Sequence, residues 1–148
     1  MKLVFTKGSD KYDRLDVYRL GHDIEAIDCP KQRIIPHDMV HYAIETTLRR
    51  RGFLGRVRDG EPANFQMVGE SESDGVERLV EVFQGDEWSG GLTPAQDMLD
   101  LYRVTCEARR CPMLPLEPSD IEDVRHAIGV LTEQWASVAI GGSLTLDL

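Results

Sequence analysis

The last six residues of the sequence, Ser143–Leu148, alternate between polar and apolar side chains, and this pattern constrains the fold more than any other. Leu144, Leu146 and Leu148 would share one face of a β-strand, because successive side chains point to opposite faces. An apolar strand needs a sheet to join, since its unpaired backbone groups would otherwise stay exposed. The sequence offers one sheet, near its beginning, and we expect this strand to pair with it.

Three short segments near the beginning of the chain have the pattern of an antiparallel meander. They are Lys2–Thr6, Leu15–Leu20 and Ile24–Cys29, and the last two are separated by the turn-forming residues 21–23. Two β-type segments joined by so short a connection are typical of a hairpin. We therefore predict a three-stranded meander in the first 30 residues.

Helical periodicity dominates the rest of the chain. It covers Pro36–Arg51, the stripe Val76–Phe83 that ends before Gly85, and two segments that begin near Thr93 and Ser119. The last segment carries a heptad-like seam, which suits packing on another helix of the chain or on a second copy. The seam consists of Ile121, Val124, Ile128, Leu131, Trp135 and Val138.

The predicted fold class is therefore α+β. A small antiparallel β-sheet, formed by the N-terminal meander and the C-terminal strand, packs against three or four α-helices. The shared sheet implies a single α+β domain over residues 1–148, because its two parts come from opposite ends of the sequence. No element is predicted for residues 52–73, where glycines interrupt the apolar residues.

Charge is distributed unevenly along the chain. The formal net charge of the 148 residues is −9, but residues 1–60 hold 12 Lys/Arg and 9 Asp/Glu, whereas residues 61–148 hold 5 and 17. This balance argues against a surface that binds nucleic acid throughout. No apolar run approaches the ~20 residues of a membrane span. We therefore expect neither nucleic acid nor a membrane as a partner.

The cysteines indicate a reducing compartment. Cys29, Cys106 and Cys111 form an odd set without a secretory signal, which predicts free thiols and a cytoplasmic protein. The spacing between Cys106 and Cys111 is longer than that of a C-x-x-C metal or redox motif. We expect Cys29 and Cys106 to pack as small apolar side chains.

One group of polar residues has the spacing of a metal site. His37, His41 and Glu45 recur every four residues and form one stripe beside the apolar face of the predicted helix. Histidines at i and i+4 can bind one divalent ion such as zinc. The helix rises about 12 Å from residue 37 to residue 45, so Glu45 would instead accept the second ring proton of His41. The third ligand must come from elsewhere, and three residues are candidates: His22, Cys29 and His126.

The same stripe also has a structural interpretation, which we weigh more heavily. His37 would serve the helix start, Asp38 would favour the helix dipole, and Glu45 would pair with Arg49 one turn later. The motif also lacks the glutamate that an H-E-x-x-H helix places between its histidines. If a metal does bind, it would activate water, and Glu45 or Asp38 would assist in proton transfer.

Five arginines lie within ten residues around the predicted end of this helix: Arg49, Arg50, Arg51, Arg56 and Arg58. Guanidinium groups bind phosphate oxygens, so Arg50, Arg51 and Arg56 are candidates for a phosphate or nucleic-acid site. We favour the alternative that the cluster complements the helix dipole and faces the acidic second half of the chain. The acidic run of that half is expected to be a solvated face, and it consists of Glu70, Glu72, Asp74, Glu77 and Glu81.

Two motifs resemble a group of small uncharacterised bacterial proteins. The first is the stretch from His37 to Glu45, which has the pattern H-D-x-x-H-Y-A-x-E, and the second is Trp135 followed by Gly-Gly-x-Leu-x-Leu at residues 141–146. The resemblance implies a bacterial origin and a shared fold. It implies neither a mechanism nor a metal.

Two functions remain open at this point. The favoured one is a non-enzymatic interaction or regulatory function, in which the chain binds another protein or forms a homodimer through the seam that contains Trp135. The alternative is a metal-dependent, hydrolase-like enzyme with His37 and His41 as ligands. We rank it second because the sequence does not reveal a third ligand.

Overall fold

The computed structural model describes residues 1–63 and 67–148. Its strands are β1 (Lys2–Thr6), β2 (Tyr12–Tyr18), β3 (Glu25–Pro30) and β4 (Ser143–Asp147), and its helices are α1 (His37–Leu48), α2 (Phe53–Arg58), α3 (Ser71–Trp88), α4 (Ala95–Arg109) and α5 (Pro118–Ala136). Residues 64–66, within the stretch for which no element was predicted, lie outside the described residues.

The four strands form one antiparallel sheet in the order β3-β2-β1-β4. In its register, Leu3 of β1 lies between Val17 of β2 and Leu146 of β4. Alternation directs Leu3, Phe5 and Val17 into the core, where each is at most 1% exposed. The prediction that the C-terminal strand joins the N-terminal meander is therefore confirmed, as is the α+β fold class.

Helix α1 packs against α2, α3 and α5. Met39, Val40 and Ile44 lie on its buried face and are completely inaccessible to solvent. Lys7, just after β1, connects the sheet to α5, because its ammonium group donates to the carbonyl of Trp135 at 2.7 Å. None of the described helices has the length and apolarity that crossing a membrane requires.

The heptad-like seam of α5 is used within the chain. Ile121, Val124 and Ile128 are fully buried, and Leu131 and Trp135 are at most 8% exposed. Helix α5 lies against α1 and α4, which supply the partner surfaces. The seam therefore offers little apolar surface to a second copy, which removes the contact proposed for a homodimer.

The structure differs from the sequence prediction around α2. Helix α1 ends at Leu48 rather than at Arg51, because Arg49 adopts the left-handed conformation with φ 52° and stops the helix. Helix α2 was not predicted at all, and it brings the number of described helices to five rather than three or four. Its six residues include two arginines and a glycine, so they carry too weak a periodic pattern to be recognised.

Candidate functional site

His37 and His41 lie side by side at the beginning of α1. Helix α1 starts at His37, immediately after Pro36. The four-residue spacing brings the two rings together edge to face, with centroids 4.9 Å apart and an interplanar angle of 65°. The His41 side chain is only 2% exposed, whereas the His37 side chain is 41% exposed. The pair therefore has one buried member and one member at the surface.

Glu77 of α3 completes this group, because α3 packs against α1. Its Oε2 lies 2.9 Å from Nε2 of His41, and its Oε1 lies 3.5 Å from Nε2 of His37. The Glu77 side chain is 34% exposed. The expectation that the acidic run is a solvated face is therefore wrong for Glu77, which faces both histidines.

The other ring nitrogen of each histidine is also held. Nδ1 of His41 lies 3.1 Å from Glu45, and Nδ1 of His37 lies 2.8 Å from Oε1 of Gln84. The Gln84 oxygen accepts a second hydrogen bond, at 3.2 Å, from the amide of Gln32. When Nδ1 carries the proton donated to an outer acceptor, Nε2 is the nitrogen left to face a ligand. Both Nε2 atoms therefore point toward Glu77.

Glu45 fixes α2 as well as His41. Its carboxylate accepts backbone N–H bonds from Gly52 and Gly55 at 2.8 Å and from Leu54 at 3.1 Å. These donors include amides at the beginning of α2, which have no partner within that helix. As predicted, Glu45 accepts from His41. Its carboxylate is buried and saturated with donors, so it positions His41 and is not free to transfer a proton, although the residue borders a separate cavity of about 420 Å³.

Opposed charges stabilise the protonated histidines. Burial alone would lower the pKa of His41, but hydrogen bonds to Glu45 and Glu77 outweigh it and raise that pKa to about 10. Burial likewise opposes protonation of His37, whose pKa is nevertheless raised by its bond to Glu77. The same contacts hold the pKa of Glu77 far below its usual range, although burial acts in the other direction.

The arrangement of these three side chains fits a metal ion. One ligand atom from each of His37, His41 and Glu77 lies within 4.8 Å of the other two, and within residues 1–63 and 67–148 this is the one group with such a geometry. An ion bound tetrahedrally at ~2.1 Å by each ligand places the ligand atoms about 3.4 Å apart. The 3.5 Å between Nε2 of His37 and Glu77 is close to this value, whereas the 2.9 Å between Nε2 of His41 and Glu77 is a hydrogen-bonding distance that would lengthen slightly around an ion.

The residues predicted as a third ligand lie elsewhere. His22 is exposed in the turn after β2, and His126 is exposed on α5. Cys29 is buried on β3, where its thiol lies 3.9 Å from Asp38. Sequence reasoning missed Glu77, and the available signal was its spacing from Gln84. The two lie seven residues apart and border the buried stripe of α3, so both face α1.

Asp38 lies beside this group rather than in it. Burial raises the pKa of its carboxyl, which accepts from the Cys29 thiol. Asp38 and His37 line one cavity of about 440 Å³ between β3 and the start of α1. Of the two residues predicted to assist in proton transfer, Asp38 is therefore the one that shares a cavity with His37, because Glu45 lines a different cavity.

The predicted phosphate ligands do not form one site. Arg56 is 4% exposed and contacts Ser73 and Glu61 at 3.0–3.1 Å. Arg51 binds Asp59 and Glu70 at 2.7 Å each. Arg50 lies 4.0 Å from Glu72 and lines a different cavity from Arg56. The contacts with Glu70 and Glu72 agree with the favoured interpretation that the arginines face the acidic second half.

Comparisons with known proteins add no relative to this description. No protein-family model matches the chain, and no significant match to it occurs among the curated proteins or the solved structures. The functional argument therefore depends on the geometry of the site.

Proposed function

We propose that this protein binds a divalent metal ion such as zinc through Nε2 of His37, Nε2 of His41 and the carboxylate of Glu77, and that it is a metal-dependent enzyme of the hydrolase type. The observation that carries the proposal is the orientation of the two histidines. Their Nδ1 atoms are held by Gln84 and Glu45, and both Nε2 atoms face the same carboxylate. Metal-binding histidines are oriented in this way by acceptors behind the ligand shell.

A proton competes with the metal for this site. Without an ion, His41 donates to Glu45 through Nδ1 and to Glu77 through Nε2, so it carries both ring protons. A metal that binds Nε2 displaces one proton and takes over the attraction to Glu77. The ion pair and the metal complex are therefore alternative occupants of the same three side chains, and pH decides between them.

Three protein ligands leave room for water in the coordination shell, which is a property of catalytic zinc sites. The exposed sides of His37 and Glu77 adjoin two separate cavities, of about 440 Å³ and about 190 Å³ respectively. A metal in this position would lower the pKa of its bound water and generate a nucleophile near neutral pH. Asp38 lines the larger cavity and is the residue that we propose for proton transfer.

The test is metal titration of protein purified without a histidine tag. After treatment with a chelator, calorimetry with Zn²⁺ should give one ion per chain. His37→Ala should weaken binding by more than about 100-fold, because loss of a direct ligand exceeds the 10–100-fold effect of an outer partner. We choose His37 because its side chain is partly exposed, so the fold should survive the substitution.

His126→Ala is the matched control, since His126 is exposed on α5. Equal zinc affinity in His37→Ala and His126→Ala, or binding below one ion per chain, would contradict the proposal. The reaction class is tested on a panel of nitrophenyl carboxylate and phosphate esters. Hydrolysis that a chelator abolishes, and that His37→Ala lacks, is the expected result.

A non-enzymatic interaction function remains a second proposal. The observation that supports this proposal is a pair of exposed apolar side chains on α4, Leu101 and Val104, which are 52% and 59% exposed. They lie three residues apart on one face, which suits a helical contact with another protein. Light scattering tests this function: a dimer that Leu101→Asp dissociates would support it, and a strict monomer that binds zinc would favour the enzyme.

A further inference from the structure

A third cavity, which Glu45 also borders, has four arginines among its nine lining residues. It has a volume of about 420 Å³ and lies between the C-terminal end of α1, the α2 helix and the last residues of β4. Its charged lining residues are Arg49, Arg50, Arg51 and Arg58, together with Glu45, Glu72 and Asp147. In a chain with a net charge of −9, such a concentration of guanidinium groups is a local exception.

The arginines of this cavity differ in how far carboxylates neutralise them. Arg51 binds both Asp59 and Glu70 and is fully engaged. Arg58 lies 3.3 Å from the same Asp59, so it shares one carboxylate with Arg51. The nearest carboxylate to Arg50 is Glu72 at 4.0 Å, beyond hydrogen-bonding distance. Arg49 forms no ion pair with any residue in the described part of the chain.

We propose that this cavity binds a small molecule that carries a phosphate group, held by Arg49, Arg50 and Arg58. Guanidinium groups offer paired N–H donors that match the oxygens of phosphate, and an anion would relieve the repulsion among three neighbouring cations. The proposal does not depend on the metal site, because none of its three arginines contacts His37, His41 or Glu77.

The surroundings of the cavity favour a small molecule over a nucleic acid. Glu45, Glu72 and Asp147 stand at its wall, and the acidic surface of the rest of the chain would repel an extended polyanion. The volume accommodates one phosphate and a modest organic group. Arg51 and Arg56, which the sequence suggested as phosphate ligands, are not part of the proposed set because carboxylates already occupy them.

The experiment is a titration of the metal-free protein, with a chelator present, using pyrophosphate as the probe and amide NMR as the readout. Chelation keeps phosphate from binding through a metal at His37. We expect saturable shifts in residues 46–51 and 58. Arg49→Gly should weaken binding at least tenfold, which corresponds to about 1.4 kcal/mol. Arg50→Ala should weaken it similarly.

Arg110→Gly provides a matched control for Arg49→Gly. Both arginines follow the end of a helix with φ 52°, so glycine relieves the same backbone conformation in both variants. Only Arg49 lines the cavity. Saturable binding that Arg49→Gly loses and Arg110→Gly retains supports the proposal. Shifts without saturation, equal loss in both variants, or binding of an RNA oligonucleotide that pyrophosphate does not displace would overturn it.

Discussion

The carboxylate of Glu45 lies 3.1 Å from Nδ1 of His41, and both side chains are only 2% exposed. The same carboxylate accepts the N–H groups of Gly52 and Gly55, so it connects α1 to α2. A buried acceptor with four donors is costly to disturb, because any donor left unpaired loses its solvation without compensation. The histidine pair and the α1–α2 connection should therefore respond together to changes near Glu45.

Gly52→Ala tests this connection. A Cβ at position 52 would lie 2.7 Å from Cδ of Glu45 and 2.6 Å from Cγ1 of Val76, so the carboxylate or the helix must shift. We expect the free energy of unfolding to fall by about 1–3 kcal/mol, the usual cost of overpacking a filled interior. Urea denaturation measures this change.

Gly129→Ala is the control for that measurement. Gly129 lies within α5, and an added Cβ would meet nothing within 4 Å. Alanine should stabilise the helix by up to about 1 kcal/mol, because glycine is the weaker helix former. If Gly52→Ala were as stable as Gly129→Ala, the tight packing around Glu45 would be contradicted.

The stability of the metal-free protein should depend on pH on both sides of neutrality. The pKa of His41 is about 10 in the folded chain against an ordinary 6.5, so its contribution is complete below pH 6.5 and is lost as pH rises toward 10. The pKa of Glu77 is lowered from an ordinary 4.5, so its contribution is present above that value and is lost in acid.

Denaturant midpoints between pH 3 and 10 measure this profile, which should be highest between about pH 4.5 and 6.5 for these two groups. On the alkaline side, the free energy of unfolding should fall by at most about 1.4 kcal/mol per pH unit, the value for one proton. His41→Gln keeps a hydrogen-bonding side chain but cannot titrate, so its alkaline limb should be flatter. If the alkaline side of the profile were unchanged in His41→Gln, groups other than His41 would cause the pH dependence of stability.

Metal binding should release protons near pH 8. His41 carries a proton on Nε2 at that pH in the metal-free state, because its pKa is about 10, and the ion must displace it. We expect about one proton per zinc from His41 and an affinity that rises about tenfold per pH unit. Calorimetry in two buffers with different ionisation enthalpies counts the protons. Zinc binding without proton release would indicate that His41 is not a ligand.

Glu77→Gln should reduce zinc affinity, because an amide oxygen is a weaker and neutral ligand. The matched control is Glu81→Gln, one turn later on α3, where the side chain is 37% exposed compared with 34% for Glu77. Glu81 binds Arg78 at 2.9 Å and does not face the histidines. We expect a loss of more than about tenfold in the first variant and none in the second. Equal affinities would exclude Glu77 from the site.

The sequence by itself determined the sheet and the histidine pair. Alternation in Lys2–Thr6 and Ser143–Leu148 was enough to predict two strands, and the absence of another sheet implied their pairing. The spacing of His37 and His41 was enough to place both rings on one face of α1. These are local consequences of the periods of a strand and a helix, so they can be derived from neighbouring residues.

Only the tertiary structure decided which residues complete the site. Glu77 lies 36 positions after His41, and its approach depends on how α3 packs against α1. Packing of α1 against α2 likewise gives Glu45 its donors, and packing of α5 against α1 and α4 buries the seam within the chain. Such contacts depend on long-range packing. The position of a residue along its helix shows which face of the helix it lies on, but not which residue of another element it contacts.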